Sequence, residues 1–252
     1  MAPVVAAESV ASIAIVFTVA GWVKGVTGMG LPTVVMGALG LVMAPVQAAA
    51  LLLVPSLVTN IWQFATGPAP GAIFRRLLPL LLGVCLGTGV GIGVLTSGSS
   101  RWPSVALGGV LAVYALLAFF LPRLAVPATA ERLLSPVMGA ITGVLTGATG
   151  VFVVPAVPYL SALGFSKDEL VQALGLSFTV STVALGIAMG TAGSVQPAAL
   201  VASAAAVAPA LLGVHIGRRT RDRMSPSLFR RWFFVAMLAV GLYMFVRGLL
   251  AP

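Results

Sequence analysis

Apolar runs about 20 residues long recur along this sequence, and they constrain its fold more than any other feature. A helix needs about 20 apolar residues to cross the hydrocarbon core of a bilayer. Hydrophobic residues make up 60% of the 252-residue chain and charged residues only 8%, whereas soluble domains carry about 25% charged residues. The sequence therefore predicts an all-α polytopic membrane protein that is embedded in the lipid bilayer.

Six of these runs are predicted to be simple membrane spans, over residues 46–66, 77–97, 103–121, 169–190, 196–217 and 231–250. Two other apolar stretches, 9–43 and 134–164, are too long for one simple helix and are interrupted by glycine and threonine. Each arm of such a stretch would be about 13–17 residues long, which is short for a full crossing. We therefore predict two broken-helix hairpins.

The two interrupted stretches match each other at an offset of 122 residues. The runs that begin at Gly21 and Gly143 both read G-x-x-[K/T]-G-x-T-G. The same offset continues without a gap through the following spans and carries Gly91 to Gly213. A constant offset over such a length predicts a tandem duplication, with one hairpin and three transmembrane helices in each half.

The basic residues favour hairpins over single crossings. If each hairpin returns to its starting side, eleven basic residues fall on one side of the membrane and two on the other; single crossings would give eight against five. Basic residues concentrate in cytoplasmic loops. We therefore expect a multi-pass membrane protein with both termini outside, in which residues 1–125 and 126–252 are inverted repeats within one membrane domain.

The two glycine breaks are candidate anion sites. A helix that begins inside the membrane leaves backbone N–H groups unpaired at the positive end of its dipole, and inverted symmetry is expected to bring the two tips together near the midplane. Lys24 is the one charged residue placed within a membrane segment away from its ends, and such a charge usually faces a functional cavity. The second run has Thr146 at that position.

Polar side chains also lie at helical spacing on the span after each break: Ser56, Thr59, Asn60 and Gln63 in the first half, and Ser177, Ser181 and Thr182 in the second. From the breaks and these series together, we predict the following substrate-binding residues: Lys24, Gly25, Thr27, Gly28, Gly30, Ser56, Asn60, Thr146, Gly147, Thr149, Gly150, Ser177 and Ser181.

Each of these predictions has a structural alternative. Glycines four residues apart are typical of close helix packing, and hydroxyl and amide side chains can bond one membrane helix to another. The Lys24 side chain can extend to the membrane surface. His215 can couple a proton to transport or make a structural hydrogen bond.

The chain resembles the sulfite exporter TauE/SafE family, also called the toluene-sulfonate uptake permease family. The resemblance is carried by the G-x-x-K-G-x-T-G-x-G run of Gly21 to Gly30, by the run of Gly143 to Gly150, and by the polar helix after each. It implies a secondary transporter that moves sulfite, sulfonates, sulfoacetate-like compounds or related anions across the inner membrane. Val151 and Phe152 follow the second run, at the place where the family usually has two glycines.

The sequence argues against other functional classes. The basic residues responsible for the net charge of +9 lie in short loops and do not form the aromatic-plus-basic pattern on which bases stack, so we expect no nucleic-acid partner. A single cysteine, a single histidine and acids only at segment ends provide no set for catalysis or metal binding; we predict no enzyme, metal or cofactor. An anion channel using the same site is the alternative to a transporter. A coupling proton or cation and a homodimer are partners that the sequence leaves open.

Overall fold

The computed structural model describes residues 7–97, 101–120, 125–221 and 225–250. Its helices are α1 (Ala7–Thr27), α2 (Leu31–Leu39), α3 (Pro45–Ala65), α4 (Pro70–Leu95), α5 (Trp102–Phe120), α6 (Ala128–Thr149), α7 (Ala156–Ser161), α8 (Lys167–Thr191), α9 (Pro197–Ala205), α10 (Val207–Thr220) and α11 (Pro226–Leu250). Among the described residues, seven stretches are long and apolar enough to cross a membrane: α1, α3, α4, α5, α8, α9 with α10, and α11. The prediction of an all-α polytopic membrane protein is confirmed.

The six predicted simple spans are all helical, with small differences in their ends. Helices α4 and α11 begin earlier than predicted, each at a proline, which is tolerated in the first turn of a helix. The span predicted at 196–217 is interrupted at Ala206, between α9 and α10. Pro209 explains this interruption, because proline cannot donate to the carbonyl four residues earlier and its ring crowds that carbonyl.

The two long stretches are broken, but their arms are unequal. The first arms, α1 and α6, are 21 and 22 residues long, whereas the second arms, α2 and α7, have only 9 and 6. The prediction of arms of about 13–17 residues was therefore wrong. The helix does not break at the first glycines of each run; it ends where Gly28 and Gly150 take φ angles of +81° and +72°, which side chains with a Cβ avoid.

Contacts between helices define their relative directions. Helices α3 and α8 are antiparallel, since Ser56 lies beside Thr182 and Gln63 beside Val171. Helix α5 runs antiparallel to α11, because Gly108 packs on Gly241 whereas Gly248, farther along α11, packs on the start of α5. Each of these pairs joins helices at the same position in the two halves of the chain.

Two further pairs run parallel. Helix α1 packs along α10, with Gly21 against Ala210 and Gly25 against Gly217. Helix α4 packs along α6 in the same way. Helix α1 of the first half thus pairs with α10 of the second, and α6 of the second half pairs with α4 of the first. This exchange of partners is the arrangement expected of a duplicated, inverted fold, which stays a prediction.

The contacts also correct the offset between the halves. Gly213 packs on Thr18 of α1, and Gly87 packs on Ala140 of α6, which is 122 residues after Thr18. Gly213 therefore matches Gly87 and not Gly91. Helix α8 has 25 residues and α3 has 21. This difference of about one helical turn increases the offset between the two halves after these helices.

The helix directions gather most of the basic residues at one end of the bundle. This end holds the starts of α4, α6, α8 and α11 and the end of α10, whereas Arg101 and Arg247 lie at the other end. Arg76 makes a bidentate ion pair there with Glu131, at 2.7 and 2.8 Å, and donates to the Leu163 carbonyl at 2.9 Å. We call this end the basic end.

Candidate functional site

Lys24 lies inside the bundle and does not extend to the surface. Its side chain is 4% exposed, and its ammonium group donates to Thr59 Oγ1 at 3.0 Å and to Asn60 Oδ1. Both partners are neutral. Among the residues that the structure describes, no carboxylate pairs with Lys24.

The polar contacts continue from Lys24 across the centre of the α3–α8 pair. Asn60 Nδ2 donates to Ser56 Oγ at 3.0 Å, and Ser56 Oγ lies 3.1 Å from Thr182 Oγ1 on α8. All of these side chains are at most 4% exposed. We call Lys24, Ser56, Thr59, Asn60 and Thr182 the central network. It joins α1, α3 and α8, and so connects the two halves of the chain.

The second half lacks the cation at the equivalent position. Thr146, which takes the place of Lys24, donates its hydroxyl to the Thr142 carbonyl of its own helix at 2.7 Å. Ser181, which takes the place of Thr59, is fully buried, and its hydroxyl has no hydrogen-bond partner among the described residues; Ser177, one turn earlier, is in the same state. A buried hydroxyl without a partner costs free energy, so these two groups are able to bind a ligand at little cost.

Thr33 is a third hydroxyl of this kind, and the sequence analysis did not identify it. It lies in the first turn of α2 and is fully buried, and its Oγ1 has no partner in the part of the chain that the structure describes. The first N–H groups of a helix lack intrahelical acceptors. Gly30, with φ of +100°, is the residue from which α2 begins. The start of α2 therefore presents donors beside an unpaired hydroxyl.

Thr27 and Thr149 shape the two breaks. Thr27 Oγ1 is 2.9 Å from the Val23 carbonyl and accepts from Met29 N–H at 3.2 Å. In the second half Thr149 Oγ1 is 2.6 Å from the Leu145 carbonyl and accepts from Val151 N–H at 3.2 Å. Both hydroxyls, predicted as substrate donors, thus already hold the chain where it leaves the helix.

The predicted glycines divide into two groups. Gly25 faces the backbone of α10, where a Cβ would lie 2.9 Å from Arg218 N, and Gly147 faces α4, where a Cβ would lie 2.8 Å from Ile92 N. Close helix packing, the alternative reading, accounts for these two. Gly28, Gly30 and Gly150 have positive φ angles and form the breaks themselves.

The two breaks do not meet at one point. Gly28 lies against Val171, near the start of α8, and Gly150 lies against Ala49, near the start of α3. Because α3 and α8 are antiparallel, these contacts are at opposite ends of the pair. The stretch of α3 from Ala49 to Gln63, which contacts Val171, is about 21 Å long at 1.5 Å per residue. The expectation that symmetry brings the tips together was wrong; the central network lies between them.

A proline in α3 provides a second link to the other half. Pro55 cannot donate to the Leu51 carbonyl, and this carbonyl instead accepts from Ser203 Oγ of α9 at 2.8 Å. Ser203 Oγ also accepts from Val54 N–H at 3.0 Å. Ser203 was not predicted, because one serine in a long apolar run carries no signal in the sequence. His215 is exposed on α10 and lies outside the central network.

Comparisons of the sequence with known proteins identify its family. The family profile described as "Sulfite exporter TauE/SafE" matches residues 13–244. The chain is 27% identical over 220 residues to a protein of Cupriavidus necator named probable sulfite/organosulfonate exporter TauE, and the match covers 86% of both chains. No solved structure matches the chain at a comparable level of significance. Since the profile covers nearly all of the described residues, the chain belongs to the sulfite exporter TauE/SafE family.

Proposed function

We propose that the protein is a secondary transporter of sulfite, or of a small organosulfonate or related organic anion, and that Lys24 binds the anionic group. The observation that carries the proposal is the buried ammonium of Lys24, which has only neutral hydrogen-bond partners. The name of the Cupriavidus necator relative, a probable sulfite/organosulfonate exporter, supports this substrate class.

An uncompensated buried cation favours the binding of an anion. Burying a charge without a counterion is expensive. A bound sulfite or sulfonate would supply the missing negative charge. Hydrogen bonds to charged groups contribute about 1.5–3 kcal/mol each, enough for selective binding. The one other lysine of the sequence, Lys167, is exposed at the start of α8.

The other binding groups are neutral hydroxyls and amides. Thr59 and Asn60 accept from the ammonium, and Ser56 accepts from Asn60. Within the described residues, the buried hydroxyls of Ser177 and Ser181 have no partner and are available to donate. The start of α2 contributes through Gly30 and Thr33 a helix end of the kind that attracts anions. The second half has Thr146 where the first half has Lys24, so we propose one anion per chain, held mainly by the first half and closed over by α8.

We propose that the halves, residues 1–125 and 126–252, are inverted repeats and that substrate crosses by alternating access. The exchanged pairs α1–α10 and α4–α6 support this. Two reciprocal contacts also support it: Gly28 contacts Val171, and Gly150 contacts Ala49. Gly150 follows Gly28 by 122 residues, and Val171 follows Ala49 by the same number. Each break lies near a different end of the α3–α8 pair. Each half thus carries a segment of irregular backbone near one end of this pair. Alternating access requires a gate on each side of the central network, and the two breaks lie at these positions.

We further propose that the basic end faces the cytoplasm and that the membrane is the cell inner membrane. Basic residues concentrate on the cytoplasmic side of membrane proteins. The directions of α1 and α11 then place both termini outside. An anion channel would use the same lysine, so transport assays must separate a channel from a carrier.

The test is transport of [³⁵S]sulfite into proteoliposomes by three forms of the protein: unmodified, Lys24→Met and Lys167→Met. We expect Lys24→Met to abolish uptake and Lys167→Met to retain it, because both lose a lysine but only the first loses the buried charge. Unlabelled sulfite inside the vesicles should accelerate uptake, as expected of a carrier. Uptake by Lys24→Met at the unmodified rate would refute the site, and uptake without trans-stimulation would indicate the channel.

A further inference from the structure

An open groove of about 550 Å³ lies between the end of α1 and the start of α11, at the basic end. Its walls are aromatic and apolar and include Trp22, Phe229, Trp232 and Leu228. Trp22 and Phe229 pack edge to face with ring centroids 5.3 Å apart. Trp232 and Leu228 are 67% and 57% exposed, so that the groove opens outward to the surroundings of the bundle.

Exposed arginines lie next to groove residues, or to their hydrogen-bond partners, along two helices. Trp22 Nε1 donates to Thr220 Oγ1 at 3.0 Å, which fixes the groove beside Arg219 and Arg221 at the end of α10. On α11, Arg231 precedes Trp232. These arginines are exposed, and within the described part of the chain none of them forms an ion pair with an acid. The groove therefore has apolar walls, and the helices that form and adjoin it carry exposed arginines at the basic end; we call these arginines its rim.

We propose that the groove is a binding site for an anionic phospholipid, with an acyl chain against the aromatic walls and the phosphate at the arginines. Tryptophan and tyrosine side chains settle at the level of the headgroups, and basic pockets at the ends of membrane helices attract anionic lipids. A soluble anion would not need the apolar walls. A second copy of the chain docked by two-fold symmetry would place the same arginines opposite each other, which their charge disfavours.

The occupant can be tested through the tryptophans. The variant Trp62→Phe with Trp102→Phe leaves Trp22 and Trp232 as fluorophores, both in the groove. This parent is reconstituted with phosphatidylglycerol or phosphatidylcholine that carries brominated acyl chains, which quench tryptophan on contact. We expect half-maximal quenching at a mole fraction of phosphatidylglycerol at least threefold lower than that of phosphatidylcholine.

The rim is tested by adding Arg219→Gln and Arg221→Gln to this parent. A matched control adds Arg75→Gln and Arg132→Gln, two exposed arginines of the basic end on α4 and α6. The preference for phosphatidylglycerol should disappear in the first variant and persist in the control. If the first variant does not fold, Arg231→Gln serves in its place.

Three results would overturn the proposal. Equal quenching of the parent by the two lipids would remove the anionic preference. Loss of the preference in the control would show a general surface potential and no site. Absence of quenching by either lipid would show that protein, such as a second copy of the chain, covers the groove. None of these readouts depends on transport.

Discussion

Helix packing through glycine makes a quantitative prediction for Gly87 and Gly89, which are two residues apart on α4. A Cβ on Gly87 would lie 2.8 Å from the Val144 nitrogen of α6 and closer still to the Ala140 carbonyl oxygen, whereas a Cβ on Gly89 would meet nothing within 4 Å. Non-bonded carbon contacts are normally about 3.5–4.0 Å. An alanine at position 87 must therefore move α4 and α6 apart by about 1 Å.

The two alanine variants share the gain in helix propensity of about 1 kcal/mol, so their difference isolates the cost of the contact. Overpacking of a close contact costs about 1–3 kcal/mol. For a chain of this size, 1 kcal/mol corresponds to about 2–4 °C in melting temperature. We expect Gly87→Ala to melt about 2–12 °C below Gly89→Ala in the same detergent, measured by thermal unfolding. Equal melting temperatures would refute the close packing of α4 on α6.

Three further predictions concern hydroxyls and topology. Ser203→Ala should lower the melting temperature by several degrees, because it leaves the Leu51 carbonyl without a donor at a cost of about 1–3 kcal/mol; an unchanged value would contradict the link at Pro55. Ser181→Ala should leave the stability without substrate unchanged or raised, since its hydroxyl has no partner, yet weaken sulfite binding about tenfold or more; unchanged affinity would exclude it from the site. With Cys85 replaced by alanine, cysteines at Ser97 and Ser166 should react with an impermeant maleimide from opposite sides of the membrane; labelling from the same side would overturn the helix directions.

The sequence was sufficient to predict the membrane helices, because a span is determined by composition over some 20 residues. The breaks were also predictable, but their positions were not. In the first run Gly21 and Gly25 resemble helix breakers, yet they lie inside α1 where the backbone of α10 replaces their missing side chains. Only the tertiary contact distinguishes a glycine that packs from one, such as Gly28, that turns the chain.

The sequence pointed to Lys24 because a charge in the middle of an apolar segment is rare, and the structure buries this side chain in the bundle. Its partners Thr59 and Asn60 belong to the polar series on α3, although only Asn60 was among the predicted binding residues. The separation of the two breaks was not predictable, since it depends on the antiparallel packing of α3 on α8. Thr33 and Ser203 gave no signal because a single hydroxyl in an apolar helix is usually without a ligand.

The central claim is that the buried ammonium of Lys24 binds the anion. The most direct measurement is the melting temperature of unmodified protein, Lys24→Met and Lys167→Met as a function of sulfite concentration. A ligand at about 100 times its Kd stabilises the folded state by about 2.7 kcal/mol. Unmodified protein and Lys167→Met should show this increase, and Lys24→Met should show none, although without sulfite it should be at least as stable because a buried unpaired charge has been removed. An equal sulfite-dependent increase in Lys24→Met would contradict the account.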